Sequence, residues 1–466
     1  MTVDPHSAQT STPPPWRVAA ALAVVALLTF AACFVQPARG QGRDTVAGRL
    51  GAVAVTCSGS FDLAGVDWVR DAAAKHQTPY FATAGADGAI VSIFGRGPAL
   101  LGAVALQGLA PGQTVTDRDL RYAVRWGAAA AVALSAVLLA LALLAFTSPA
   151  AAVGLALAAS VSFAGSPSLG QGLWQQTACL PFLVATLPCL AWSRRFHGLL
   201  LLVPALLGLA LLQRPALGGL AFGLGLAWSV RVRAAPDPAR IAVWAGALAL
   251  VAVAPLVRAN LADFGSPLPL GQLIRNQAWV DEPLSQRPTR FLAGMTGLLV
   301  SPARGIVWYA PLVPAAVWLG WRRKQPWTRA LSTGLVLHFC LAAVFHNWSG
   351  GIAFGPRLLA EAAWLAPFLV VADGAPPARR ARAWLGALAV WTVAVGALGI
   401  WRYDPRAWDL RRLEVPGGVW DVVDNPFTAL VTQPRQHEPL VDAPRGPFRF
   451  CAPQPLADLA APRQSP

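Results

Sequence analysis

The chain has 466 residues, of which 55% are hydrophobic and 13% are charged. Charged residues make up about 25% of an ordinary soluble protein, so this composition excludes a soluble domain and predicts a protein that crosses a membrane several times. The formal net charge of +15 would favour nucleic acid as a partner of a soluble chain. In a membrane protein the division of charge between the two faces matters first, and nothing here supports nucleic acid binding.

The N-terminal segment, residues 1–15, is polar and rich in proline, and it precedes an apolar run that ends at Val35. It is too long and wrongly charged for a cleaved signal peptide, so we predict a disordered cytoplasmic segment followed by a retained signal anchor. Ten more apolar runs follow, which predicts an all-α membrane bundle of about eleven transmembrane helices within residues 16–400. The eleven runs lie near 18–35, 122–146, 150–165, 173–192, 197–212, 216–230, 240–258, 304–320, 328–345, 357–373 and 384–400.

The apolar segment 98–110 has too few residues for a span of about 20, and it suits a re-entrant or interfacial helix. If it does not cross, twelve basic residues share the side of the N-terminus, and all but three of the 22 acidic residues lie on the other side. The positive-inside rule then places the N-terminus in the cytoplasm, and residues 36–121 and the tail 401–466 outside. The twelve basic residues are Arg194, Arg195, Arg231, Arg233, Arg240, Arg322, Arg323, Lys324, Arg329, Arg379, Arg380 and Arg382.

The two predicted external segments are polar. Turns at 59–62 and 85–88 favour short helices that lie on the membrane within residues 36–121, and they argue against a packed domain. The tail 401–466 is too irregular to fold alone but suits a cap on the external face. Cys57 and Cys451 lie in these polar segments, and a disulfide between them stays open.

Signatures of common soluble enzymes are absent: there is no phosphate-binding loop, Rossmann fingerprint, nucleophile elbow or zinc-spaced Cys/His cluster. Polar groups instead stand at the external ends of helices. In segment 301–305 a proline and a glycine flank Arg304, which favours phosphate binding, although an arginine that reaches lipid headgroups explains the pattern equally well. Segment 346–357 repeats this pattern with Arg357. Glu361 follows four residues later, where the two side chains can pair with each other.

The turn 165–176 places Gln175 and a tryptophan at the external end of another helix. Such side chains bind sugars by hydrogen bonding and stacking, but interfacial tryptophan is more often a membrane anchor. His76, His197 and His338 have no metal partners at a recognisable spacing, and we interpret them as structural.

The order of these segments is more specific than any one of them. An acid, Asp44, follows the first helix, a Gly/Pro turn lies at 95–98, and the turn 166–174 comes next. Segment 301–311 and segment 348–357 complete the series. Over about residues 16–400 the chain resembles the C-type (GT-C) membrane glycosyltransferases, which include polyprenyl-phosphate-sugar-dependent mannosyltransferases and aminoarabinosyltransferases.

The resemblance implies an inner-membrane enzyme that takes a sugar from a polyprenyl-phosphate carrier and transfers it, with inversion, to an external glycan, lipid or protein. By position, Asp44 would be the base that acts on the acceptor. Position alone equally allows a solvated acid paired with Arg43 or Arg49. The residues marked for substrate binding are Arg43, Arg96, Gln175, Arg304, Tyr309, His346, Trp348, Arg357 and Glu361.

The chain also departs from the family pattern. Asp44 stands alone between Arg43 and Thr45, where many relatives have two adjacent acids, and the turn at Ser166 lacks the acid often found there. No cofactor is therefore predicted, and dependence on a divalent metal stays open, as does activity itself.

Two other functional classes are alternatives to a glycosyltransferase. The first is a non-catalytic subunit that keeps the fold and binds a lipid carrier or assists assembly. The second is a lipid or polysaccharide transporter, which should carry charged residues in mid-span and often shows repeat symmetry. The apolar runs are almost uniformly apolar, which favours either of the GT-C interpretations over transport.

Overall fold

The computed structural model describes residues 14–35, 44–75, 79–275, 283, 285–372, 379–404, 408–413, 415, 417–432 and 448–451. Its helices are α1 (Pro15–Ala32), α2 (Asp44–Ser58), α3 (Asp67–Ala74), α4 (Gly97–Leu106), α5 (Asp117–Leu143), α6 (Pro149–Val161), α7 (Gln175–Trp192), α8 (Val203–Gln213), α9 (Gly218–Arg233), α10 (Pro238–Phe264), α11 (Gly271–Arg275), α12 (Arg287–Val300), α13 (Ile306–Tyr309), α14 (Leu312–Arg322), α15 (Pro326–Val344), α16 (Ala360–Val371), α17 (Arg379–Arg402), α18 (Asp409–Arg412) and α19 (Pro426–Thr432). The strands are β1 (Ala82–Ala84), β2 (Ile90–Ser92), β3 (Thr114–Val115) and β4 (Phe448–Arg449).

The chain is a multi-pass membrane protein, and the predicted all-α class is confirmed. Six helices in the described residues are long and apolar enough to cross a membrane. Helix also occurs in each of the other five predicted runs, but there it is shorter, broken or less apolar, so the number of eleven crossings stays a prediction. Helix α4 has ten residues and is about 15 Å long, half of the roughly 30 Å hydrocarbon layer. It is therefore too short to cross, as expected for segment 98–110.

The main hydrophobic core lies among the long helices. Trp364 and Phe368 of α16 are fully buried in it. Helices α9 and α15 pack closely because glycines face each other: a Cβ built on Gly223 would lie 2.5 Å from the Cα of Gly334. By contrast, α10 keeps side chains such as Val251 largely exposed on the outside of the bundle, which suits contact with lipid.

The described residues between 44 and 128 contribute most of a second hydrophobic cluster, which we call the loop face. Helices α2, α4 and the first turns of α5 bury Leu50, Leu106 and Val124 there, together with Phe81 from the hairpin β1–β2. A Cβ on Gly51 would lie 2.8 Å from the Cβ of Ala99, so small residues let α2 and α4 approach. The prediction of short helices is confirmed, but they pack into a core. The expectation that this segment is not packed was therefore wrong, since alanine and glycine supply its close contacts.

The C-terminal tail is tied to this face. Cys57 and Cys451 form a disulfide with their Cα atoms 4.9 Å apart, so the pairing left open by the sequence is present. Strand β4 pairs antiparallel with β3. Trp408 is buried beside Ala303, and its indole N–H donates to the carbonyl of Asp424 at 2.7 Å. The described parts of the tail thus contact both the loop face and the bundle.

Candidate active site

A cavity of about 840 Å³ lies between the loop face and the bundle. Its wall is built from the first residue of α2, segments 80–94, 174–176, 214–216 and 269–272, the C-terminal half of α15, and segment 345–358. Asp44 is partly exposed on this wall whereas His338 is buried. The cavity therefore runs from the surface into the bundle.

Asp44 begins helix α2 and lines the cavity. A carboxylate at a helix N-terminus is stabilised by the N–H groups and by the helix dipole. Its Oδ2 lies 2.8 Å from Nη2 of Arg357, and its Oδ1 accepts a hydrogen bond from the hydroxyl of Tyr80 at 3.3 Å. The side chain is 31% exposed, so it remains accessible to a substrate.

Arg357 opens the 3-10 turn Arg357–Leu359 that leads into α16. Its guanidinium lies 4.1 Å from the ring centroid of Trp174, and the side chain is only 10% exposed. A guanidinium this close to a tryptophan ring is attracted by the ring's electrons. Its Nε is buried and has no hydrogen-bond partner within the described part of the chain. Arg357 thus meets Asp44 through Nη2 while its guanidinium stays beside Trp174.

A second ion pair lies inside the bundle. Arg214 pairs with Glu361 in the first turn of α16, and both side chains are buried. His338 of α15 places its Nε2 3.7 Å from Oε2 of Glu361, and its Nδ1 lies 3.2 Å from the carbonyl of Ala216. The expected pairing of Glu361 with Arg357 is therefore wrong: Arg357 precedes the α-helix and turns toward the loop face, while Glu361 faces the bundle.

The structure gives Arg304 a different role from the predicted phosphate clamp. It is fully buried, and its Nη2 lies 2.5 Å from Oδ1 of Asp409 in the tail. It also donates to the backbone carbonyls of Ser349 and Gly351 at 2.9 and 3.1 Å. Arg304 therefore fixes the segment that carries Arg357 and joins it to the tail.

Tyr309 and Arg96 also have structural partners. The buried hydroxyl of Tyr309 donates to the carbonyl of Ala303 at 3.0 Å. Arg96 binds Asp263 through two hydrogen bonds of 2.8 and 2.6 Å, and its guanidinium lies 4.4 Å from the ring of Phe61. Neither lines the cavity, so neither is placed to bind a ligand there.

The other residues predicted to bind substrate differ in whether they line the cavity. Gln175 lines the cavity and donates to the carbonyl of Phe94 at 2.9 Å. Trp348 packs its ring against α12, and His346 is exposed and lies outside the cavity wall. Arg43 lies outside the described residues.

Four residues of the site were missed or misjudged from sequence: Tyr80, Gln176, Arg214 and His338. Arg214 had a usable signal, because a charged residue between two apolar runs is costly in a membrane. His338 was interpreted as structural, yet it lines the cavity beside Glu361. Tyr80 gave no local signal, since its role depends on the fold of the loop face.

The described side chains do not fit a metal site. No three His, Cys, Asp or Glu residues among them come together. Asp44 is the one carboxylate among the described residues of the cavity wall, and it faces an arginine. Hard cations such as Mg²⁺ need several oxygen ligands, and the described residues of the cavity wall do not supply such a set.

No family model and no curated protein matches the chain. Among solved structures it matches ArnT from Cupriavidus metallidurans bound to undecaprenyl phosphate, with 13% identity and a TM-score of 0.42, over 85% of this chain and 62% of that one. It also matches the archaeal oligosaccharyltransferase AglB from Archaeoglobus fulgidus in complex with an inhibitory peptide and a dolichol-phosphate, with 13% identity and a TM-score of 0.39, over 87% and 58% of the two chains. The chain thus spans about three fifths of the length of each. Both TM-scores are low, so the function proposed below depends on the site and on the sequence motifs.

Proposed function

We propose that the protein is a membrane glycosyltransferase that moves a sugar from a polyprenyl-phosphate donor to a glycan, lipid or protein acceptor outside the cytoplasmic membrane. The observation that carries the proposal is the contact between Asp44 and Arg357 on the wall of the cavity of about 840 Å³. It brings a proton acceptor and a phosphate-binding cation from distant parts of the chain to one place. The sequence motifs mark both residues independently.

The two residues supply complementary chemistry. Asp44 takes the proton of the acceptor hydroxyl as its oxygen attacks the anomeric carbon. The bond between that carbon and the phosphate oxygen breaks, the electron pair leaves with the polyprenyl phosphate, and the configuration at the carbon inverts. Arg357 offsets the charge that develops on the departing phosphate.

The apolar part of the cavity suits the prenyl chain. Leu341, Ala342 and Phe345 line it together with Pro215. Leu341 is 47% exposed, so the cavity presents accessible apolar surface on which a prenyl chain can pack.

The orientation has two supports of different kinds. The twelve basic residues lie at or near helix ends and in the short connections between them, on the side that the order of the crossings assigns to the N-terminus, which favours a cytoplasmic side there. The disulfide between Cys57 and Cys451 favours an oxidising compartment at the loop face, because cytosolic thiols are kept reduced. Both support a cavity on the outer side of the cytoplasmic membrane.

The test is an analysis of lipid-linked sugars in a deletion strain with and without the wild-type gene. We expect the deletion to accumulate one polyprenyl-phosphate sugar and to lack one glycan modification, and the gene to restore both. An unchanged profile of lipid-linked sugars and of surface glycans would contradict a transferase.

The same experiment separates the rival classes. A carrier-binding subunit would lose the modification in the deletion strain, but an Asp44→Asn gene would restore it. If the protein is a transporter, the deletion strain would accumulate the finished lipid-linked product on the cytoplasmic side of the membrane. Several charged side chains lie buried in the bundle, namely Arg125, Arg231, Arg214 and Glu361. The helices are therefore less uniformly apolar than expected, and the composition of the helices argues less strongly against a transporter than the analysis of lipid-linked sugars would.

A further inference from the structure

Both arginines of the cavity wall, Arg214 and Arg357, already have carboxylate partners. Among its described lining residues, Arg214 is committed to the buried Glu361. Arg357 is the arginine nearer the surface, and it contacts Asp44 at 2.8 Å. The group best placed to bind a phosphate thus holds the group best placed to act as a base.

We propose that Arg357 exchanges partners: it holds Asp44 in the ligand-free protein, and the phosphate of an incoming lipid displaces the carboxylate. The inference rests on the proposed function and adds an order of events to it. Donor binding comes first, and it releases the base.

The energetics of the contact favour such an exchange. Asp44 is 31% exposed, so water compensates much of its loss when the pair opens, and partly exposed pairs contribute little to stability. The phosphodiester of the sugar donor offers two non-bridging oxygens that share one negative charge, and the planar fork of an arginine binds such a pair through two parallel hydrogen bonds.

The surroundings hold each partner in place during the exchange. Trp174 keeps the guanidinium at a stacking distance of 4.1 Å, so Arg357 changes its partner without leaving the cavity. The hydroxyl of Tyr80 donates to Oδ1 of Asp44, the oxygen that does not face the arginine in the ion pair. Asp44 is therefore kept near the cavity after the pair opens.

The exchange has a chemical consequence. In the ion pair, Oδ2 of Asp44 faces Nη2 of Arg357 at 2.8 Å. Without donor, Asp44 is held in this contact; with donor, Oδ2 is released and can accept the acceptor's proton next to the anomeric carbon. Binding of the donor phosphate thus frees the oxygen that acts as the base.

The test measures binding of geranyl phosphate to the purified full-length protein by titration calorimetry, with geraniol and inorganic phosphate as separate probes. Asp44→Asn removes the competing charge and keeps the shape. We expect this variant to bind geranyl phosphate about two- to five-fold more tightly than the wild type, the range expected for a partly exposed pair. Geraniol should bind both proteins equally, and a gain with inorganic phosphate would show that the headgroup alone suffices.

Two further variants complete the design. Asp263→Asn removes the carboxylate from the Arg96 pair outside the cavity, and it should leave binding unchanged. Arg357→Gln should weaken binding of geranyl phosphate. Asp44→Ser serves as a second neutral variant with the same expected sign as Asp44→Asn.

Equal or weaker binding by both neutral Asp44 variants, or wild-type affinity in Arg357→Gln, would overturn the exchange. This outcome differs from failure of the proposed function. Transfer that persists in Asp44→Asn refutes Asp44 as the base of the proposed function whatever the binding shows, whereas lost transfer with unchanged binding refutes only the exchange.

Discussion

Replacing Glu361 by glutamine should destabilise the bundle strongly, because it leaves Arg214 as an unpaired cation. Both side chains are buried, with 4% of Arg214 and 0% of Glu361 exposed. Removing one partner of a buried pair costs about 3–5 kcal/mol, whereas a surface pair contributes about 0–1 kcal/mol. We therefore expect Glu361→Gln to lower the free energy of unfolding by about 3–5 kcal/mol.

The assay is reversible unfolding of the purified protein in mixed detergent micelles, followed by tryptophan fluorescence. A double variant, Arg214→Met with Glu361→Leu, removes both charges and should recover at least half of the loss, because well-packed apolar side chains often replace a buried pair without cost. Asp263→Asn is the comparison, and its loss should be smaller, since Arg96 is 24% exposed and keeps part of its hydration. A loss below about 1 kcal/mol for Glu361→Gln, or a double variant no better than the single one, would refute the buried pair.

Three other outcomes follow from the contacts described above. Reduction of the disulfide, or replacement of both Cys57 and Cys451 by serine, should lower the free energy of unfolding by about 2–4 kcal/mol. Equal stability would show that the tail is held without the disulfide. Arg304→Ala should cost about 3–5 kcal/mol, because Asp409 is left buried and unpaired, and Asp409→Asn in the same protein should add little; fully additive losses would contradict the pairing. A topology reporter fused at Lys324 should report the cytoplasm, and an external signal there would overturn the orientation.

Much of the helical architecture follows from apolar runs in the sequence, because a segment in lipid must satisfy its own backbone hydrogen bonds. Segment 98–110 illustrates this: its short length and the division of basic residues between the two sides argued against a crossing, and α4 is indeed a ten-residue helix. The packing of residues 44–128 was not predictable in the same way. Its core depends on glycines and alanines that meet across helices, and hydrophobic periodicity does not report such contacts.

The candidate site was predictable in part. The order of motifs marked Asp44 and Arg357, and the structure brings these two together. Their pairing could not be read from the sequence, because the two residues lie far apart in the chain. The four-residue spacing suggested Arg357 and Glu361 instead, but that rule holds only within an α-helix, and Arg357 lies in a 3-10 turn. The partner of Arg304 lies 105 residues away in the tail. Long-range pairs of this kind depend on the tertiary fold and leave no local pattern.

The central claim is that Asp44 is the base of a sugar transfer. The most direct measurement is the initial rate of transfer by purified wild-type and Asp44→Asn proteins, using the lipid-linked sugar that accumulates in the deletion strain. Because general-base catalysis contributes about 10²–10⁴-fold, we expect the variant to be slower by that factor while it still binds the carrier. An Asp44→Asn protein that transfers the sugar at the wild-type rate would contradict the account.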